Sequence, residues 1–110
     1  MPKQLTVIAH LVAKPDKIEE TRTFLLALIG KTRGEKGCVD YDLHQDDSNP
    51  AEFTFYENWA NRAEWDKHME MPYLKEFAAR KDELFAKEPH IRLMTMISKR
   101  AWNSPMFVPE

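Results

Sequence analysis

The sequence predicts a single α+β domain in which a four-stranded antiparallel sheet carries helices on one face. The length, 110 residues, is that of one domain. Four stretches have the β-branched or aromatic character of strands. Two regions of helical periodicity separate the first strand from the second and the third from the fourth. The resulting order, β-α-β-β-α-β, is the split βαβ arrangement of ferredoxin-like folds.

The first strand and the first helix are indicated by two contrasting residue patterns. Residues 5–12 are apolar on both faces, apart from Thr6 and His10 on one of them, which indicates a strand covered on both sides. In residues 18–32 the apolar side chains recur at helical spacing. Gly34 follows as a plausible C-cap, so we expect the helix to end there.

The middle of the chain predicts a β-hairpin. Residues 38–45 alternate, with apolar side chains on one face and polar ones on the other. Residues 46–50 form a polar turn that ends in proline. Residues 53–59 are rich in aromatic side chains and have strong β character. Because the connection is short, we expect these two strands to pair with each other.

The remaining part predicts a helical region divided by a proline and then the last strand. Asn61 and Glu64 have the spacing of a capping box at the start of a short helix. Pro72 suits the first position of a second helix. The sequence Glu88-Pro89 ends that helix, and residues 91–98 predict the fourth strand.

The predicted sheet has one face without helices. The first, third and fourth strands nevertheless carry apolar residues on both faces, and a second copy of the chain is the simplest cover, so we expect a homodimer. Residues 1–110 would form one domain with a core at about residues 5–98. The tail, residues 99–110, contains Trp102, Phe107 and two prolines, and we expect it to pack on the partner.

Composition and charge exclude several classes of protein. A net charge of −2 gives no electrostatic footprint for nucleic acid or an anionic membrane. No apolar run approaches the roughly 20 residues that span a bilayer, and no signal peptide is recognised, so we expect a cytoplasmic protein. The lone Cys38 excludes an internal disulfide and suits a small buried hydrophobe better than a nucleophile. The histidines lack metal-ligand spacing, and no glycine-rich phosphate loop is present.

Residues 53–68 are the most informative window for function. Glu57 and Trp59 project from the same face of the third strand, in an otherwise aromatic row. A buried acid must be paired or have its pKa raised, because desolvation disfavours its charged form. His68, on the short helix that follows, could be its partner. Two interpretations stay open: a role for Glu57 in a functional site, or a salt bridge that holds the strand to the helix.

The sequence resembles the antibiotic biosynthesis monooxygenase-like (ABM) domain family, which includes small quinol monooxygenases. Four segments carry the resemblance, and together they match the family pattern T-R-x-E-x-G-C-x-x-Y, E-x-W and a downstream His over about residues 5–97. The segments are T-V-I-A followed by A-K-P-D-K, then T-R-G-E-K-G-C-V-D-Y-D-L, then F-Y-E-N-W-A-N-R-A-E-W-D-K-H, and then P-Y-L-K-E-F.

The resemblance implies a ferredoxin-like α+β fold that dimerises into an α+β barrel, with a cleft between sheet and helices. The monooxygenase members oxidise phenolic or quinol substrates with O2 and use no metal, flavin or haem. In such chemistry the substrate supplies the electrons. The protein binds the aromatic ring, removes a proton and excludes water.

The resemblance also implies roles for particular residues. Glu57, Trp59 and His68 match the E-x-W and His positions, with His68 as proton acceptor or hydrogen-bond partner and Glu57 beside it. Tyr73 stands where many members have a second histidine. The candidate catalytic residues are therefore His68 and Glu57, and the candidate substrate contacts are Tyr41, Asn58, Trp59, Trp65, Tyr73, His10 and His44. His10 and His44 lie outside the family pattern.

Other activities occur in the same family or fold and stay open as alternatives. A haem-degrading oxygenase would need an axial histidine and an asparagine on the first strand, which here carries His10 and no asparagine. An isomerase of a phosphorylated signalling sugar would need cations facing the cleft, and residues 38–70 are predominantly acidic. A dimeric module that binds a small molecule without turnover is the third alternative.

Overall fold

The strands and helices occur in the predicted order. The structure is a computed structural model that describes residues 4–98. The bounds are β1 Leu5–Val12, α1 Ile18–Arg33, β2 Cys38–Gln45, β3 Glu52–Trp59, α2 Arg62–Met69, α3 Pro72–Leu84 and β4 His90–Thr95. The tail expected to pack on a partner, residues 99–110, lies outside the described residues.

The four strands form one antiparallel sheet in the order β2-β3-β1-β4. This arrangement confirms the ferredoxin-like α+β fold. The fourth strand is shorter than the predicted 91–98 because it pairs only with β1, whose first residue, Leu5, lies opposite Thr95. Beyond that pair β1 has no strand residue left to continue the ladder.

The second helical region is divided in two, as predicted. The side chain of Asn61 accepts a hydrogen bond of 3.0 Å from the backbone N–H of Glu64, which caps α2. Pro72 occupies the first turn of α3, where its missing N–H costs nothing. The cap fixes the start of α2, the short helix that carries the candidate catalytic residue His68.

The core lies between the helices and one face of the sheet. Alternate residues of β1 and β3 point into it, because side chains on a strand alternate between faces. The helices contribute the matching apolar stripes of α1 and α3. The most deeply buried members are Val7, Leu11, Ala13, Leu25, Phe53, Trp59 and Leu84, each at most 1% exposed.

The opposite face of the sheet is covered by no helix in the described part of the chain. It carries a mixture of polar and apolar side chains, because the alternate residues of each strand point there. Tyr56 and Met94 are 39% and 37% exposed, and in the strand register Ile8 lies opposite Tyr56. No helix within residues 4–98 is long and apolar enough to cross a membrane.

Two local features bring the start of β2 close to α2. The register between β2 and β3 shifts between Cys38 and Asp40, which indicates a β-bulge. Because Cys38 then pairs with Trp59, it shares the helix-side face with Tyr41. At Gly37, a Cβ atom would lie only 2.2 Å from the Cβ of Glu64, so glycine permits this close approach.

Candidate active site

A cluster of polar and aromatic side chains is buried between the sheet and the helices, at the end of the sheet near α2. Its side chains come from the loop before β2, from β2 and β3, and from α2 and α3, so most of the fold is needed to assemble it. Four members are 4% exposed or less: Tyr41, Glu57, Trp59 and His68. Glu35, Cys38 and Tyr73 complete what we call the His68 cluster.

His68 is held by a carboxylate from the loop between α1 and β2. Its Nδ1 lies 2.8 Å from Oε2 of Glu35, and the two side chains are 2% and 8% exposed. The hydroxyl of Tyr73 donates a hydrogen bond to the same oxygen of Glu35. Glu35 therefore links α2 and α3 through one carboxylate oxygen.

Aromatic rings surround the imidazole of His68. Its centroid lies 4.5 Å from that of Trp59 and 5.6 Å from that of Tyr41. Burial lowers the pKa of His68 below its usual value, although the contact with Glu35 acts in the opposite direction. The neutral imidazole is thus favoured at pH 7, the form that can accept a proton.

Glu57 is an acid that forms no ion pair with a cationic side chain within residues 4–98. Its Oε1 accepts a hydrogen bond of 2.9 Å from Nε1 of Trp59, two residues along the same strand. Burial raises the pKa of Glu57 to about 7, and the negative charge of Glu35 acts in the same direction. Its carboxyl group can therefore hold or release a proton near neutral pH.

Cys38 borders the cluster as a thiol. Burial, together with the charges of Glu35 and Glu57, raises its pKa to about 11. A thiol with so high a pKa stays protonated at pH 7 and is a poor nucleophile. This agrees with the interpretation of Cys38 as a small hydrophobe.

The structure brings together five of the residues singled out from the sequence: Tyr41, Glu57, Trp59, His68 and Tyr73. Their contacts differ from the expected ones in one respect. The hydrogen-bond partner of His68 is Glu35 rather than Glu57, so the carboxylate that contacts α2 comes from the loop before β2 rather than from β3. Trp65 packs at the edge of the core, with the Arg62 guanidinium 5.1 Å from its ring centroid.

Three other candidates lie on the opposite face of the sheet. Asn58 is buried there, and its side chain accepts a hydrogen bond from the Thr6 hydroxyl and donates one to Asp40. His10 contacts Glu52 at 2.8 Å, and His44 lies 3.4 Å from the carbonyl oxygen of Thr54. Both histidines line a shallow pocket of about 360 Å³ on that face. The sheet therefore lies between these three side chains and His68.

Glu35 is the member of the cluster that sequence reasoning missed as a site residue. It is the acidic residue in T-R-G-E-K-G-C, one of the segments that carry the family resemblance. An acid two residues before the Gly37 that lets α2 approach is well placed to reach a side chain on that helix. This position in the sequence could have identified Glu35 as a candidate site residue. Within residues 4–98, no group of three or more His, Cys, Asp or Glu side chains is arranged to hold a metal ion.

The fold and the His68 cluster define a small ferredoxin-like protein with acid–base groups buried among aromatic rings. The family model described as "Antibiotic biosynthesis monooxygenase" matches residues 4–80. The chain therefore belongs to this family.

Individual relatives agree with the family assignment. The protein sll1783 of Synechocystis is 35% identical over 89 residues, which are 81% of this chain and 60% of that relative. Rv0793 of Mycobacterium tuberculosis, named as a candidate monooxygenase, is 27% identical over 90% of this chain and 97% of its own length. Its solved structure superimposes with a TM-score of 0.84 over 89% of this chain and 99% of that one. PA3566 of Pseudomonas aeruginosa gives a TM-score of 0.83 at 30% identity, over 89% and 98% of the two chains.

Proposed function

We propose that this protein is a cofactor-independent monooxygenase that oxidises a small phenolic or quinol-type aromatic molecule with O2. The observation that carries the proposal is the burial of His68, 2% exposed, against the rings of Trp59 and Tyr41. A neutral imidazole in aromatic surroundings suits the removal of a proton from a flat aromatic substrate. Membership of the family, and a relative named as a candidate monooxygenase, support this reaction class.

The proposed reaction balances without an added reductant. A naphthol or quinol and one O2 give the corresponding quinone or hydroxyquinone and one water. One oxygen atom enters the ring, and the substrate supplies all four electrons that O2 takes up. His68 accepts the phenolic proton, which makes the ring electron-rich, and Glu57 in its acid form can give a proton to the reduced oxygen. Burial of both groups keeps bulk water away.

The charge of the His68 cluster favours an uncharged aromatic substrate over a phosphorylated sugar. The buried acidic groups are the carboxyls of Glu35 and Glu57. A phosphate placed beside them would be desolvated next to groups of the same charge. The isomerase alternative therefore has less support than oxidation of a phenol.

The test is O2 uptake by the purified, chelator-treated protein with a panel of quinols and naphthols. We expect uptake with at least one of them, and a product that gains one atom of oxygen from ¹⁸O2. Turnover that persists after chelator treatment would show that the reaction does not require a loosely bound metal. A haem spectrum in the purified protein, or no uptake together with a ligand found by thermal shift, would contradict the proposal and favour the haem-degrading or non-catalytic alternative.

We also propose a homodimer in which the helix-free face of the sheet is the interface. Tyr56 and Met94 lie exposed on that face, and a partner sheet would remove their apolar surface from water. Sedimentation velocity at micromolar concentration should show a dimer. Tyr56→Lys should shift it towards monomer, whereas Leu26→Lys, which changes an apolar residue 45% exposed on α1, should not. A monomeric wild-type protein would exclude the dimer.

A further inference from the structure

We propose that Glu35 is a positioning residue for His68: its carboxylate holds the imidazole as the tautomer with the proton on Nδ1, which leaves Nε2 as the proton acceptor. The consequence for catalysis rests on the proposed monooxygenase activity, but the tautomer itself does not. This assignment names the nitrogen that meets the substrate, and it gives a role to a residue outside the set expected from the sequence.

The contact between Glu35 and His68 determines which ring nitrogen carries the proton. Nδ1 of His68 lies 2.8 Å from Oε2 of Glu35, and both side chains are almost fully buried. An ionised carboxylate can only accept hydrogen bonds, so the neutral imidazole must carry its hydrogen on Nδ1. A buried carboxylate left without that donor would lose a charge-assisted hydrogen bond that water cannot replace.

Tyr73 fixes the position of the Glu35 carboxylate. The hydroxyl of Tyr73 donates to the same oxygen of Glu35, so α3 holds the carboxylate in the position that α2 requires. Burial and the contact with Glu35 raise the pKa of Tyr73, so its hydroxyl remains a donor at neutral pH. A histidine at this position could change its charge near pH 7, whereas the tyrosine cannot. Tyr73 therefore keeps Glu35 in an accepting role.

The other ring nitrogen of His68 is Nε2. Within residues 4–98, the side chain of His68 makes its hydrogen bond at Nδ1. The faces of its ring pack against aromatic groups, with the Trp59 ring at 4.5 Å and tilted by 37°. In this tautomer the lone pair lies on Nε2, so a substrate hydroxyl that gives its proton to His68 would have to meet the imidazole in its plane at that nitrogen.

The direct test is the ¹⁵N NMR spectrum of the histidine side chains in the full chain at neutral pH. His68→Asn removes the His68 signals and so identifies them. In the wild type we expect a protonated Nδ1 and an unprotonated Nε2. Glu35→Gln should abolish that preference, because its amide can donate to Nδ1, while Glu35→Asp, which keeps a carboxylate, should retain part of it.

The chain offers a matched control on the other face of the sheet. His10 and Glu52 are also joined at 2.8 Å, so Glu52→Gln removes a carboxylate–histidine contact of the same length. It should alter the signals of His10 and leave those of His68 unchanged. A wild-type His68 protonated on Nε2, or a Glu35→Gln spectrum with the wild-type tautomer, would overturn the proposal.

Kinetics separate this inference from the proposed function. With a substrate from the panel, Glu35→Gln should lower kcat by about 10- to 100-fold and leave KM nearly unchanged, because substrate contacts are kept. Loss of the tautomer in Glu35→Gln without any fall in kcat would contradict a positioning role. If no substrate is oxidised, the NMR result still decides the tautomer, and the failure counts against the monooxygenase alone.

Discussion

His68→Ala is expected to lower turnover by about 10²- to 10⁴-fold, the contribution typical of a general base. The variant removes the only imidazole of the His68 cluster, while Trp59 and Tyr41 still offer their rings to the substrate. The loss should therefore fall mainly on kcat, with a smaller change in KM. The measurement is O2 uptake with the best quinol or naphthol of the panel, over a range of substrate concentrations.

His90→Ala is the matched control for loss of a histidine, because His90 is exposed at the start of β4 and outside the cluster. The His68→Ala variant leaves a buried cavity beside Glu35, so its folding must be verified by circular dichroism. His68→Gln, which fills more of that space but is no base at neutral pH, should be equally inactive. Substantial turnover by a folded His68→Gln variant would exclude His68 as the base.

The period-two pattern of the strands accounts for much of what the sequence predicted correctly. It placed Glu57 and Trp59 on one face, and the structure puts both in the core with their side chains hydrogen-bonded. The same rule places Asn58 on the opposite face, so its separation from Glu57 was readable from the sequence. Asn58 was nevertheless listed with Glu57 and Trp59 as a candidate site residue, without regard to the direction of its side chain.

The contact between Glu35 and His68, in contrast, does not follow from the alternation of side chains along a strand. The two residues are 33 positions apart, and their meeting depends on the path of the loop after α1, the bulge at the start of β2 and the close approach at Gly37. Residue patterns report which face of an element is buried, but they carry little information on such loop geometry. The sequence therefore offered Glu57 as a candidate partner of His68, whereas the carboxylate that contacts His68 is that of Glu35, within a matched segment.

Glu57→Gln is expected to change how the stability of the protein depends on pH. The folded-state pKa of Glu57 is about 7, against an ordinary value near 4.5. Between these two values the unfolded chain has released the proton while the folded protein keeps it, so the folded state binds more protons. The free energy of unfolding must then fall as the pH rises through this window, by about 3 kcal/mol in total.

Glutamine at position 57 has nearly the same shape and can still accept the hydrogen bond from the Trp59 indole, but it carries no charge at any pH. The variant should therefore gain stability relative to the wild type as the pH is raised from about 4.5 to 7, by up to about 3 kcal/mol. The groups that face Glu57, namely Glu35, Tyr41 and Cys38, are common to both proteins. Their contributions largely cancel in the difference.

Urea denaturation at pH 5, 6, 7 and 8 measures this difference. His68 contributes the opposite sign in both proteins, because its lowered pKa makes stability fall as the pH drops below about 6.5. Glu76→Gln, which removes one negative charge from the exposed surface of α3, controls for the general effect of charge. A stability difference between wild type and Glu57→Gln that stays constant over this range would show that Glu57 is ionised in the folded protein. It would remove Glu57 from the proposed proton transfers and leave His68 as the sole proton carrier of the cluster.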